Sequence, residues 1–386
     1  MILDLLSDDE ARSRALAVRA DRDPEQTLAE VAWNIVTEPG DGVAGALRGE
    51  LGAVAALEYA FGGSGGAGER SAQLEAGRRR WEPRADPALV TEALTTALRI
   101  GAELVLPGDG TWPTSFDDLG AHAPGALWCR GSTEALSAAT RSVSIVGARA
   151  ASSYGEHVAR ELAGDLASDR YVVVSGGAYG IDGAAHRATL GIGGTTVAFV
   201  AGGVDRSYPA GHAQLFTRIL DSGAVISEVP FGVPPTKWRF LARNRLIGAL
   251  GLATVVVEAG WRSGSLNTAA HAASLGRPVG AVPGPITSPA SAGCHRLLRE
   301  FGAQCVTSAV EVRELVVQET SADARAGVDE ADRTRLSDAL SARSSRSPLD
   351  IARRSGLSRE RVETLLGLFA LEGLATRHED GWRWKG

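Results

Sequence analysis

The 386-residue chain is 44% hydrophobic and 22% charged and carries a formal net charge of −6, which fits a soluble, globular protein of two or three domains with a sizeable core. Its opening stretch, MILDLLSDDEAR, has acids where a secretory signal carries positive charge, and no run of eighteen mainly apolar residues occurs; a cytoplasmic protein with no membrane span is expected. Cys129, Cys294 and Cys305 are odd in number, far apart and without a C-x-x-C pair, which argues against a disulfide framework or a zinc site and predicts three buried thiols.

Taken in chain order, residues 1 to about 60 read as helices, PEQTLAEVAWNIV among them. The glycine-rich break GGSGGAGERS and a further helical stretch, DPALVTEALTTALRI, follow. A small helical N-terminal domain over residues 1–98 is expected. The texture then changes. AELVLPGDGTWP reads as a strand and turn, and the β-branched runs VSIVG, YVVVS, TTVAFVA, AVISE, ATVVVEA and PVGAVPG each leave room for one crossover helix before the next. That rhythm predicts an α/β fold over residues 99–315, a mostly parallel doubly wound sheet whose ligands lie at the carboxyl ends of its strands. The polar segment QETSADARAGVDEADRT predicts a linker over residues 316–334. The last part, 335–386, gives helix, Gly356 turn, helix and two short strand candidates near Asp380 and Gly381, the order of a winged helix-turn-helix.

Charge is unevenly spread. Residues 141 to 305 hold fifteen Lys or Arg against ten Asp or Glu, whereas the remainder holds 25 against 36. A positive middle inside an acidic chain points to a local anion-binding face, since the field at a surface follows nearby charge. Lys237 and Lys385 are the only lysines, so anion recognition there rests on arginine forks and backbone amides.

Three loops carry the chemistry. In VGARAASSYG, Gly147 ends a strand and Arg149 follows before a helix; in VSGGAYGID, Ser175, Gly176, Gly177, Tyr179 and Gly180 precede another; in EAGWRSGSLNTAA, Arg262, Ser263, Gly264 and Ser265 open a third. Strand-to-helix loops of this kind offer backbone N–H groups to phosphate, although each glycine is also explained by a tight turn alone. Asp182 is expected to cap the helix beginning DGAAH, with His186 as its partner one turn later. Glu258, at a strand end, reads as a structural acid or a catalytic carboxylate. Between these loops, PPTKWRFLARNRL sets Lys237, Arg239, Arg243 and Arg245 within nine residues free of acid, interleaved with Trp238 and Phe240. Cations that track a backbone and rings that stack on bases suit a single strand, and a solvated basic loop is the alternative.

The nucleotide enzymes that share this architecture fit poorly. Neither lysine lies in G-x-x-x-x-G-K-[ST], which excludes a Walker-type ATPase at the level of motif. The dinucleotide fingerprint fails too, with Arg149 at the second glycine position and Ser175 where a ribose-binding acid belongs.

SIVGAR, VVVSGGAYGIDGAAH, FLARNRLIGAL, RSGSLNTA, VPGPI and GCHRLL, in this order and spacing, closely resemble the DNA-processing protein A (DprA/Smf) family over residues 100 to 310. The resemblance implies an extended Rossmann-like domain that binds single-stranded DNA without hydrolysing nucleotides. It also implies a dimer that helps load the RecA recombinase onto strands taken up in natural transformation. By that resemblance Arg149, Ser175 to Gly180, and Arg243, Asn244 and Arg245 form the phosphate pocket. Adding the residues read from the loops, the expected DNA-binding set is Gly147, Arg149, Ser175, Gly176, Gly177, Tyr179, Gly180, Lys237, Arg239, Arg243, Asn244, Arg245, Arg262, Ser263, Gly264 and Ser265. No catalytic residue, metal or cofactor is expected.

The sequence departs from the family at Leu241, where a proline usually follows the phenylalanine, and at Tyr179, an aromatic in a variable slot of the glycine loop. TEPGDGVAGALRGELGAVAAL keeps a loose version of the helix-hairpin-helix that the family carries near its N-terminus. In the C-terminal segment Arg359 and Arg361 are interspersed with Glu360 and Glu363, which weakens the case for groove reading and sets a protein-contact or dimer-supporting role at least level with it. Two other readings stay open: a phosphoribohydrolase-like enzyme, although the glutamate of its P-G-G-x-G-T-x-x-E motif is missing here, and a winged-helix regulator that binds duplex DNA.

Overall fold

A computed structural model describes residues 2–62, 72–371, 374–378 and 380–385. The chain divides into two units, Met1–Val316 and Val317–Gly386.

The first unit begins with six helices: α1 (Asp9–Val18), α2 (Pro24–Val36), α3 (Gly42–Leu51), α4 (Ala53–Phe61), α5 (Ala72–Trp81) and α6 (Pro87–Ile100). Aspartates at their N-caps start four of them, Asp8, Asp23, Asp41 and Asp86 each accepting backbone N–H groups of the first turn. The apolar stripe of α2 buries Leu28, Val31 and Trp33, and Trp33 meets Trp81 edge to face at 5.2 Å.

β1 (Glu103–Val105), β2 (Leu127–Gly131), α7 (Glu134–Ser137) and β3 (Ser142–Gly147) follow, and then the alternation begins. It runs α8 (Ser153–Ser168), β4 (Val172–Ser175), α9 (Ile181–Gly191), β5 (Thr196–Phe199), α10 (Ala213–Ser222), β6 (Ala224–Ser227) and α11 (Lys237–Leu250), then β7 (Ala253–Val257), α12 (Ser265–Ser274), β8 (Val279–Ala281), α13 (Ala292–Glu300) and β9 (Gln304–Cys305). The sheet order is β1-β2-β6-β5-β4-β3-β7-β8-β9. β6 through β9 in that order are parallel, while β2 pairs antiparallel with both β1 and β6. The expected Rossmann-like α/β fold is therefore present. β2 escapes sequence reading because Leu-Trp-Cys-Arg-Gly lacks a β-branched run, and β9 is two residues long.

The chain winds outward from β3 through β4, β5 and β6, then returns to β7 on the other flank of β3. This reversal leaves a crevice beyond the carboxyl ends of β3 and β7, where ligands of open parallel sheets bind. Helix α11 is fixed over it by two buried hydroxyls of β3: Ser142 donates to the Leu250 carbonyl at 2.8 Å and Ser144 to that of Ile247 at 2.7 Å.

The N-terminal helices share one hydrophobic core with the sheet, in which Leu28, Trp33 and Leu94 are continuous with Trp128, Phe216 and Val225. Asn34 ties this layer to the strands, accepting from the Trp128 indole at 2.9 Å and donating to the Glu228 carbonyl at 2.7 Å.

Helix α14 (Ala309–Ala339) runs through residues 316–334, where the sequence predicts a linker. The segment is polar, but it holds four alanines and no proline, a composition compatible with helix. In the second unit, α15 (Pro348–Ser355) ends on Gly356 in the left-handed conformation, α16 (Arg359–Leu371) follows, and β10 (Ala375–His378) pairs antiparallel with β11 (Gly381–Trp384). Ile351, Val362, Leu365, Leu366 and Phe369 form its core.

Candidate nucleic-acid interface

Two of the three loops expected to offer amides to phosphate are already occupied by the protein's own carboxylates. At the start of α8, Ser152 donates its hydroxyl to Glu258 Oε1 at 2.5 Å and its N–H to Oε2 at 2.8 Å. The buried Glu258, itself at a positive φ of 54°, therefore holds the positive end of that helix. Glu258 is thus a structural acid. In the glycine loop, Asp182 accepts the N–H of Gly176 at 3.1 Å and of Ala178 at 3.3 Å. Asp182 reaches back to the preceding loop and is not paired with His186, contrary to expectation. His186 is fully buried and bonds Thr196 at 2.7 Å, and burial pushes its imidazole down to about 3.

Several expected DNA contacts are consequently framework. Ser175 is buried and donates to the Ile145 carbonyl at 2.6 Å. A side chain at Gly147 would meet the Val257 carbonyl and Ile181, one at Gly176 the Arg243 guanidinium, and one at Gly177 the Phe216 ring. These glycines serve close packing. Gly180, at φ +73°, lies against the Ala148 carbonyl, and the exposed Tyr179 stacks edge-on against His212 at 4.8 Å.

The basic stretch of α11 separates in the same way. Arg245, 5% exposed, grips Glu228 with both terminal nitrogens, at 2.7 and 2.8 Å, and donates Nε to the His122 carbonyl at 2.9 Å. Arg239 makes a two-pronged pair with Glu38 of the helical layer at 3.0 and 2.8 Å, a carboxylate shared with Arg84. Neither guanidinium is open to a ligand, so both expectations are corrected: these two arginines clamp the N-terminal helices to the sheet. Asn244 spends its amide on the Gly264 carbonyl and Asn267, each at 3.2 Å. Arg243, 6% exposed, donates to the carbonyls of Gly176, at 2.8 Å, and Phe199. Burial brings Arg243 down to about 10 and pushes the Asp182 carboxyl up, the attraction between the two opposing both shifts.

What remains is a cleft of about 900 Å³ at the crevice between β3 and β7. Arg149, Lys237, Arg243 and Arg262 line it against a single acid, Asp182, whose charge Arg243 faces. Arg149, Lys237 and Arg262 are exposed, and none has a carboxylate within ion-pair distance among the described residues. The Arg149 guanidinium lies 4.5 Å from the Phe240 ring centroid, and the Tyr208 ring is tilted against Phe240 at 5.7 Å. At the start of α12 the Ser263 and Ser265 hydroxyls are 2.7 Å apart, beside the exposed Gly264, and this helix has no side-chain cap. Cations without an ion-pair partner among the described residues, the exposed Tyr208 ring and hydroxyls at a helix start suit a sugar-phosphate backbone with splayed bases.

Residues 103–317 match the family described as DNA recombination-mediator protein A. A Mycobacterium tuberculosis (strain H37Rv) protein that bears the DprA name is 45% identical over 337 residues, covering 83% of this chain and 85% of that one. The chain belongs to the DNA recombination-mediator protein A family. Among solved structures of the family, DNA processing protein A from Streptococcus pneumoniae superposes with a TM-score of 0.59 at 28% identity, over 75% of this chain and 96% of that one. The structure describing the single-stranded DNA binding mode of the Helicobacter pylori protein superposes with a TM-score of 0.51 at 28% identity, over 56% and 96%.

Within this family frame, sequence reasoning passed over Tyr208. The available signal is its place in DRSYPAGHA, a loop leaving the carboxyl end of β5, where ligand-facing residues of a parallel sheet gather. Of the cysteines, Cys129 and Cys294 are buried as expected, their thiols pushed up to about 12 and about 11, but Cys305 is exposed on β9. No helix among the described residues is long and apolar enough to cross a membrane.

Proposed function

We propose that this chain is a non-catalytic single-stranded DNA-binding protein that protects incoming strands and helps load the RecA recombinase in DNA uptake. The observation that carries this reading is the cleft at the β3/β7 crevice, where Arg149, Lys237 and Arg262 have no ion-pair partner among the described residues and lie beside Tyr208 and Phe240. In mechanism, Arg149, Lys237 and Arg262 neutralise successive phosphates and release counterions, while Tyr208 and Phe240 stack on bases irrespective of sequence. Arg243, held between the Gly176 and Phe199 carbonyls, positions the glycine loop and adds positive potential from beneath. Titration of labelled single- and double-stranded oligonucleotides at two salt concentrations tests this: tighter, salt-sensitive binding of the single strand is expected, and equal or tighter duplex binding overturns it.

Two further parts of the reading have their own support. The short edge strand β9, at one end of the nine-stranded sheet, leaves unpaired backbone groups to which a second copy can add in a homodimer. We assign the second unit, a winged helix in this reading, to protein contact, since Arg354, Arg359 and Arg361 lie against Asp350, Glu363 and Asp332 and give its helices a surface of mixed charge. A phosphoribohydrolase-like activity would need a free acid, and Glu258 is committed to Ser152; absence of base release from AMP is the expected result. A cytoplasmic setting follows from the DNA and RecA partners.

A further inference from the structure

The first turn of α11 fans its side chains about 100° apart, and consecutive residues reach different cavities. Lys237 lines the central cleft, whereas Trp238 lines a second groove of about 1360 Å³ that runs over the N-terminal helices between α3 and α5. Trp238 is 65% exposed and has no ring, cation or hydrogen-bond partner among the described residues. A tryptophan left this open exposes a large apolar face that water solvates poorly. The exposed Trp261 differs, since it is covered by the Arg296 guanidinium at 5.1 Å.

The charges along the groove are mostly settled internally. Arg80 pairs with Asp41 at 3.0 Å, and Arg84 and Arg239 share Glu38. Arg79 and Glu50 are left, both exposed and without an ion-pair partner among the described residues. The groove is therefore near neutral, with a free ring at the end adjoining the cationic cleft and one free guanidinium farther along.

We propose that a single strand longer than the central cleft continues over Trp238 into this groove, one base stacking on the indole and Arg79 meeting a following phosphate. The proposal rests on the central-cleft reading above. Stacking on an open ring is tolerant of sequence and needs little net charge, which matches a groove where only one cation is free. It gives the N-terminal helical layer a part in DNA binding and explains why Arg239 and Arg245 hold that layer firmly against α11.

The test uses the full-length protein and fluorescein-labelled oligothymidylates of about 5 and about 20 nucleotides, near the lower limit of the usual single-strand site sizes and beyond their upper limit. Trp238→Ala is expected to weaken the longer oligonucleotide about tenfold and leave the shorter within about twofold. Glu50→Lys is expected to tighten the longer about threefold without changing the shorter, a gain that misfolding does not produce. No change on the longer oligonucleotide in either variant overturns the proposal, as does an equal change at both lengths. Arg149→Ala on the shorter probe separates the two readings. If it has no effect, the central cleft and this extension fall together; if it weakens binding while the length dependence is absent, only the extension falls.

Discussion

Two sets of cations, one on each side of α11, end in opposite situations. On the side of α11 that faces the N-terminal helices, Arg239 and Arg245 are saturated by Glu38 and Glu228. On the side that faces the β3/β7 crevice, Lys237 stands with Arg149 and Arg262, and among the described residues no carboxylate lies within ion-pair distance of them. The lesson is that a basic motif reports total charge, whereas binding depends on charge left over after the fold has paired what it needs. A buried pair contributes specificity and costs desolvation; an exposed unpaired guanidinium keeps its attraction for an external phosphate.

The largest effect that can break this comparison is expected from Arg245→Ala. It leaves Glu228 buried without its partner and should lower unfolding stability by about 3–5 kcal/mol, measured by urea denaturation. A stable Arg245→Ala variant with specifically impaired DNA binding would move Arg245 to the other side of the comparison.

The buried side also carries an acid sensitivity. His186 is held down to about 3, against 6.5 for an ordinary imidazole, and it donates Nδ1 to Thr196, whose own hydroxyl donates to the Val173 carbonyl. Below pH 6.5 the unfolded chain binds a proton that the folded chain refuses. Stability should therefore fall by about 1.4 kcal/mol per pH unit on acidification and show no dependence from this group at higher pH. His186→Gln should flatten that limb in thermal melts taken across pH; an unaltered slope assigns the sensitivity elsewhere.

On the open rim the effects are smaller and move to binding. Arg149→Ala should leave the unfolding midpoint unchanged and weaken single-strand affinity about tenfold for all sequences alike, as expected for the loss of one charge-assisted contact. Ser263→Ala should cost about two- to threefold, the scale of one neutral hydroxyl contact. An effect of Ser263→Ala larger than that of Arg149→Ala would place the phosphate at the start of α12 and not over Phe240.

Much of the sheet was legible because its strands are short β-branched runs, Val172–Ser175 and Ala253–Val257 most clearly, separated by crossovers of helical length. β2 was not, because a Trp-Cys-Arg strand is held by its neighbours and not by its own propensity. At the site, Arg149 and Arg262 were legible as cations shortly after strand ends, and Lys237 as one that opens a helix. The sequence was silent on Glu38, contributed by the loop between α2 and α3, and on Glu228, seventeen positions before the arginine it neutralises. Likewise Glu258 and Asp182 lie far from, or just beyond, the amides they fill. A helix start looks identical in sequence whether its donors await a ligand or already hold a carboxylate from another strand.

The most direct measurement is the dependence of single-strand affinity on salt concentration for the wild type and for a variant carrying Arg149→Ala, Lys237→Ala and Arg262→Ala together. With three phosphate contacts removed, the slope of log affinity against log salt should fall by about 2, at about 0.7 per contact, while the urea midpoint stays in place. A slope unchanged in a folded triple variant would contradict the account.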